Sequence, residues 1–455
     1  MNSYLFTTFI FAAVISLGCS RSTRAATCHP DDEAGLLAFK AGITKDPLGI
    51  LSGWKKGTHC CSWMGVICIT DDRVTELRIS GSNVLGVGFL SGTISPSLAK
   101  LEHLEAVSFT YLLNISGPFP QFLFKLPKLR YVTIRDNHLS GPIPANIGTL
   151  TELVELDLEG NRLTGPIPSS ISNLTRLTWL NLGGNSLSGP IPDIFKTMKE
   201  LRLLDLSRNG FYGKLPPSTA SLAQSLTSLY LSQNNLSGTI PDYFSRFKAL
   251  STFDLSKNRF TGVVPMSFTK LKDLFHLKLS HNLLTGPLPA LNPVNGIASL
   301  DLSYNKFQLK TIPQWVTSSP SMYDLKLVKC GIKMNIEDWK PVKTKDFIYM
   351  DLSKNEISGS PATFLNQAEA LQEFQASGNK LHFDLGKLNF TKSLRILDLS
   401  RNLVYGKVPA SVAGLRKLSL SQNHLCGKLP LTKFPASVFA GNDCLCGSPL
   451  APCKT

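Results

Sequence analysis

Asparagine returns along this 455-residue chain at nearly fixed intervals. Asn137, Asn161, Asn185 and Asn209 stand 24 apart, and Asn234, Asn258, Asn282 and Asn305 follow at steps of 25, 24, 24 and 23. Asn355, Asn379 and Asn402 resume the series after a place held by Cys330. Leucines keep constant positions around each one. From Leu153 to Pro168 the text is LVELDLEGNRLTGPIP, and the pattern LxxLxLxxNxLxGxIP recurs. A period of this size implies a stack of similar coils, because one coil cannot bury its leucines alone. Such a stack has no single cleft; it offers one long surface.

In the LxLxx segment two leucines point inward and the residues between them outward, the alternation of a short strand. The Asn after the strand turns the chain, and its amide can satisfy backbone groups that would otherwise be buried unpaired. The Gly suits a tight turn, and the Pro suits an extended position that needs no donor. The expected fold is an α/β repeat. It is a leucine-rich repeat right-handed solenoid with a concave parallel β-sheet, short or 3-10 helices on the convex side, and disulfide-closed N- and C-terminal caps. Cys330 stands where an Asn is expected, and a small buried thiol with weak donor capacity is expected to serve the structure there.

The ends read differently. Residues 1–26 open with an apolar stretch from Tyr4 to Leu17 and reach small residues at Ala25 and Ala26, a secretory leader by length and pattern. The expected organisation is this leader, an N-terminal cap over 27–73, an array of about 14 repeats over 74–424, and a Cys-rich cap over 425–455. Without Cys19, lost with the leader, four cysteines precede the array and four follow it. Closed caps on a secreted solenoid account for them. The expected pairs are Cys28–Cys60, Cys61–Cys68, Cys426–Cys444 and Cys446–Cys453, although spacing leaves connectivity open. Zinc is disfavoured because no matching histidine spacing accompanies the cysteines, so neither metal nor cofactor is expected.

The run from Asp32 to Lys40, then Trp54, then Cys60-Cys61-Ser-Trp63-Met-Gly65-Val66-Ile-Cys68, resembles the N-terminal cap of plant extracellular leucine-rich repeat proteins. The LxGxIP segments, such as Leu139 to Pro144, resemble the plant form of the repeat, and the segments Leu425 to Gly427 and Cys444 to Cys453 resemble its closing cap. Two groups share this layout without a membrane anchor: polygalacturonase-inhibiting proteins and a group named for DNA-damage toleration. The resemblance implies a secreted, non-enzymatic recognition protein, with the array here longer than the ten repeats usual in the inhibitors. After the leader, no apolar window of about twenty residues suggests a membrane anchor. Sequons at Asn114, Asn173, Asn235 and Asn389 suit a glycoprotein of the extracellular space or plant cell wall. The array is least regular over residues 306–345, where the LxGxIP segments are replaced.

The formal charge is +15, reduced by two when Arg21 and Arg24 leave with the leader. Much of it lies late in the chain, at Lys387, Lys392, Arg395, Arg401, Lys407, Arg416 and Lys417, with Asp398 the one acid of residues 385–433. A basic end on a wall protein would favour pectin, an anionic polymer. No nucleic-acid motif accompanies the charge, so no physiological nucleic-acid partner is expected.

The outward residues of the strands form a ladder that nothing in the core demands. Many rungs read Asp-Leu-Ser, as at Asp254, Asp301, Asp351 and Asp398, which marks those aspartates as generic. Tyr131, Arg135, Glu155, Glu159 and Trp179 break that rule, and aromatic and Arg residues anchor protein interfaces. They are the candidate ligand-binding residues. No phosphate loop, metal-binding His pair or nucleophile elbow points to an enzyme. Adjacent carboxylates such as Glu155 and Asp157 could imitate a glycosidase pair, but on an open sheet that cannot exclude water. Three functions fit: binding and inhibition of a wall-degrading glycosidase, soluble partnership with a surface receptor ectodomain or peptide, or a pectin-held structural role.

Overall fold

The structure, a computed structural model, describes residues 28–69, 73–81, 90–112, 114–388 and 390–453. The expected leader over 1–26, Cys19 and the sequon at Asn389 lie outside them. A 16-stranded sheet runs the length of the described chain. Val66–Ile67 pairs antiparallel with Glu76–Ser80, and from there to Lys417–Ser419 every neighbour is parallel. The register repeats from coil to coil, so that Tyr131 faces Glu155, Glu155 faces Trp179, and Trp179 faces Leu203. Between these outward residues Leu156, Leu180 and Leu204 point into one continuous apolar cluster that reaches from the N-terminal cap to Phe439. Burying each such leucine contributes about 1.5–3 kcal/mol.

The recurring Asn ties neighbouring coils together. Asn258 Oδ1 accepts from Leu236 N–H at 3.0 Å, while Nδ2 donates to Leu231 O at 2.8 Å, Leu255 O at 3.1 Å and Ser256 O at 3.2 Å. The residue before each ladder Asn has positive φ, from Asp136 at 54° to Gln422 at 58°. A non-Gly residue there costs about 1–2 kcal/mol, which the amide bonds offset. Gly160 holds that place before Asn161, and a Cβ on it would come within 2.5 Å of Asp136 Oδ1. Cys330 keeps part of the pattern: its Sγ lies 3.6 Å from Leu302 O and 3.7 Å from Val328 O. Burial pushes its thiol up to about 12, so it stays protonated.

The Asn series also runs farther than its regular spacing reveals. Asn423 accepts from Val404 N–H and Asn442 from Leu425 N–H, so coil-to-coil bonding continues past residue 424 into the C-terminal cap. The shortened steps of 21 and 19 residues had hidden these members.

The other side of the solenoid carries the expected 3-10 helices and, in addition, strands. There the LxGxIP segments pair as a second, ten-stranded sheet, including His138–Pro142, Arg162–Gly165, Ser186–Pro190 and Arg259–Val263. Pro142 and Pro190 stand last in their strands, where a missing N–H does not interrupt the ladder. One-turn 3-10 helices such as Ser169–Asn173 and Met266–Lys270 close each coil. Over residues 306–345 the long sheet continues unbroken through Asp324–Lys326, whereas the second sheet ends at Leu283–Thr285 and leaves isolated bridges. The irregular text therefore changes the back of the solenoid while Trp339 packs inward.

At the N-terminus, helix Pro30–Ala41 covers the first coils, with Asp31, Asp32 and Glu33 in its first turn, where the helix dipole favours acids. Asp32 is wholly buried, receives Arg73 through two 3.0 Å bonds and accepts from Val74 N–H at 2.9 Å. Disulfides join Cys28 to Cys60 and Cys61 to Cys68 at this end, and Cys426 to Cys444 and Cys446 to Cys453 at the other.

Asn258→Ala leaves four backbone groups without their side-chain partner. It should lower unfolding free energy by about 3 kcal/mol or more in urea titrations, whereas a loss below 1 kcal/mol would show that water replaces the ladder. Cys330 should resist thiol reagents in the native protein and react once it is denatured, read by mass spectrometry of its peptide.

Candidate functional site

The long sheet presents three outward rows, set by the strand alternation. Tyr131, Glu155, Trp179 and Leu203 lie in the first row. Thr133, Asp157, Asn181 and Asp205 lie in the second. Arg135 and Glu159 stand in the third, just before the turn. Tyr131 is 37% and Trp179 38% exposed, so both rings remain available, on either side of Glu155. Two strand spacings separate them by roughly 9–10 Å.

The charged candidates are not free. Arg135 Nη2 lies 3.0 Å from Glu159 Oε2, Nη1 3.8 Å from Asp157 Oδ2, and Nε 3.4 Å from Asp136 Oδ2. Glu159 also accepts from Asn181 Nδ2 at 3.1 Å and pairs with Arg208 from two coils on. Glu155 accepts from Thr133 Oγ1 at 2.9 Å. Arg135 and Glu159 therefore form a relay in the third row, beside the turns and two rows along the strands from the aromatic rings, so Arg135 is ion-paired within the sheet. Arg208 completes that relay. Sequence reasoning had passed over it because it occupies a turn position outside the strand.

Asp157 is nearly buried, and desolvation pushes its carboxyl up to about 7 against the attraction of Arg135. Asp205 rises to about 6, again chiefly through burial. Their geometry is that of a turn: Asp157 Oδ1 accepts from Glu159 N–H at 3.0 Å, and Asp205 Oδ1 accepts from Ser207 N–H at 2.7 Å. Asp254, Asp301, Asp351 and Asp398 accept from the N–H two residues on in the same way. The repeated Asp is thus a backbone acceptor. Among the described residues, no group of three or more His, Cys, Asp or Glu is placed to hold a metal ion.

The seven basic residues proposed for pectin are all exposed, but they do not converge. Lys387 ends a 3-10 turn and Lys392 follows it on the back. Arg395 and Arg416 precede successive strands, joined by the bond from Arg416 N–H to Arg395 O at 2.7 Å. Lys417 lies on the long sheet, Arg401 in the turn beyond it, and Lys407 on the opposite side next to Tyr405–Gly406. They surround the solenoid as a belt. Exposed sequons Asn114 and Asn235 begin strands of the second sheet, and Asn173 ends a 3-10 turn. No described sequon lies on the long sheet. Among the described residues, no helix is long and apolar enough to cross a membrane.

This architecture is that of a leucine-rich repeat protein, and comparison with known proteins agrees. The Leucine rich repeat N-terminal domain matches residues 29–69, and the Leucine rich repeat matches 151–211 and 224–284. The chain is 33% identical over 139 residues to DNA damage-repair/toleration protein DRT100 of Arabidopsis thaliana, a match covering 29% of this chain and 36% of that one. It is 39% identical over 112 residues to Polygalacturonase inhibitor 2 of Phaseolus vulgaris, covering 23% of this chain and 33% of that one. These matches thus span about a third of each relative. Among solved structures, the plant peptide hormone receptor RGFR1 in complex with RGF2 superposes with a TM-score of 0.59 at 26% identity, covering 78% of this chain and 65% of that one. PEPR1–AtPEP1 gives 0.58 at 25%, covering 90% and 68%. The chain has the leucine-rich repeat fold and is similar to polygalacturonase inhibitors and, in structure, to a plant peptide hormone receptor.

The raised carboxyl of Asp157 makes stability depend on pH. A folded value near 7 above the ordinary 3.8 means that the folded state holds the proton more tightly, so this contribution is full below about pH 4 and lost as pH rises to 7. Asp157→Asn keeps the acceptor, as Asn181 does for Gly183 N–H on the next rung. It should flatten the decline in melting temperature between pH 4 and 7 and raise stability at pH 7 by about 1–2 kcal/mol. An unchanged pH profile would refute this.

Proposed function

We propose that this chain is a secreted, non-enzymatic recognition protein that binds a protein ligand on the outward face of its long sheet. The observation that carries the reading is the pair of exposed rings, Tyr131 and Trp179, on the same face as the Arg135–Glu159–Arg208 relay two rows away. Neither ring is required by the core, and rigid aromatic side chains on a fixed sheet lose little entropy on binding. The sequons on the second sheet and back turns leave the face free for a partner. Acids outnumber bases at its outward strand positions although the chain as a whole is +15, so the favoured partner presents a basic surface. The disulfide caps support an oxidising, extracellular compartment, the wall or the space around it.

The ligand class we favour is a wall-degrading glycosidase such as polygalacturonase, supported by the similarity to polygalacturonase inhibitors. A soluble partnership with a peptide or receptor ectodomain is the second reading, supported by the likeness to peptide-bound receptors. Both use the same face. The aspartates speak against catalysis, since each is committed to its turn on an open surface.

Purified protein should reduce the activity of a fungal polygalacturonase in a saturable way, burying on the order of 1,200–2,000 Å² if the interface is of standard size. Trp179→Ala should weaken that binding by about 2 kcal/mol or more, with melting temperature nearly unchanged. Should no polygalacturonase bind while a captured peptide or ectodomain loses affinity through Trp179→Ala, the second reading holds. Full affinity of the Tyr131, Arg135 and Trp179 triple alanine variant for every captured protein would overturn the face assignment.

A further inference from the structure

The C-terminal end carries a separate face on the side opposite the long sheet. Strands Tyr405–Gly406, His424–Lys428 and Cys444–Cys446 form a three-stranded parallel sheet. Strand alternation turns Val404 and Leu425 into the core and leaves Leu403, Tyr405 and His424 outward. Leu403 and Tyr405 are each 41% exposed, an apolar strip in a polar surround. On one side the His382 ring lies 4.8 Å from the Tyr405 ring, between centroids. On the other, His424 pairs in register with Tyr405, and its Nδ1 lies 3.1 Å from Asp443 Oδ1. An aromatic platform is thus edged on both flanks by groups that can donate or accept hydrogen bonds.

Glycines make the neighbouring floor flat. A Cβ on Gly427 would lie 3.4 Å from Lys407 Cγ, and one on Gly447 would lie 3.3 Å from Lys428 Cγ. The Lys407 stem therefore runs across the bare Gly427, with Cγ, Cδ and Cε all within 3.8 Å of that position, while Lys428 sets out beside Gly447. The nearest acids are engaged: Asp384 Oδ1 accepts from Gly386 N–H at 2.9 Å, and Asp443 meets His424. Residues 385–433 hold nine Lys and Arg against Asp398 alone, so the local field is positive.

We propose that this small sheet binds an acidic polysaccharide, with Tyr405 stacked on a sugar ring and Lys407 and Lys428 facing its carboxylates. A pyranose ring has an apolar C–H face and a polar rim, which the exposed phenol and its flanking imidazoles complement. A polymer with one carboxylate per sugar matches lysines that lie on successive strands. The site is independent of the protein-binding face, and it replaces a diffuse seven-residue patch by a defined platform that keeps Lys407. The remaining bases of the belt supply long-range attraction.

The test uses the full secreted protein and a de-esterified oligogalacturonate of about ten sugars as probe, in calorimetric titrations at several salt concentrations. Tyr405→Ala should lower affinity about tenfold with the salt dependence retained, as expected when one aromatic contact is lost. The double variant Lys407→Gln with Lys428→Gln should lower affinity and flatten the salt dependence. Tyr212→Ala, at an exposed ring on the ten-stranded sheet, serves as the control and should change nothing. The proposal fails if Tyr405→Ala binds like the parent, since the association would then be charge alone. It fails equally if polyglutamate or single-stranded DNA of similar charge binds as tightly and with the same dependence on Tyr405. Melting curves of each variant separate loss of binding from loss of fold.

Discussion

The structure depends on the bonds that each ladder asparagine makes to the coil before it. A strand that leaves the long sheet must turn at once, and the turn places backbone N–H and C=O groups where water cannot reach. One carboxamide supplies an acceptor to the preceding coil and donors to both coils, as Asn258 does. That requirement explains why the residue ahead of it accepts a left-handed conformation in coil after coil. It also explains why Cys330 can stand in the series only because its sulfur still approaches two carbonyls.

Because the ladder and the leucine column satisfy the interior, the outward rows are free to vary. The repeated Asp uses some of that freedom, serving as the acceptor for the N–H two residues on. Where rungs depart from it, between Tyr131 and Arg208, exposed rings and a linked set of charges share one surface, and Tyr349 with Lys326 and Asp324 repeats the combination farther along. The same division separates the two faces of the molecule. The long sheet continues through every coil, while the second sheet forms only where the Gly-Pro segments keep their spacing and breaks where they drift. Function can therefore differ between faces, with a protein partner proposed for one and a polysaccharide for the other.

Charge shows how far composition alone can mislead. A run of basic residues looks like a patch when read along the chain, yet a coil of some 24 residues carries it around the whole circumference. Arg395 and Arg416 become neighbours because they are one coil apart, whereas Arg401 and Lys407, close in sequence, point to different sides. The acidic outward rows of the long sheet likewise emerge only when residues one repeat apart are brought together.

The solenoid, its one strand per coil and the inward leucines are legible in the sequence, because a period of 24 with alternating leucines leaves no other way to bury them. So is the structural role of Cys330, since its position in the series is fixed by its neighbours. The second sheet was not legible: Gly and Pro signal turns locally, and only the stacking of many such segments supplies the partners that make them strands. The last ladder members, Asn423 and Asn442, were hidden by shortened coils that the sheet absorbs. Arg135 and Glu159 could be placed on the outward side of the long sheet from spacing. Their union with Arg208 and Asp157 was decided by tertiary structure, because it depends on side chains reaching across coils and on the burial that raises the Asp157 carboxyl.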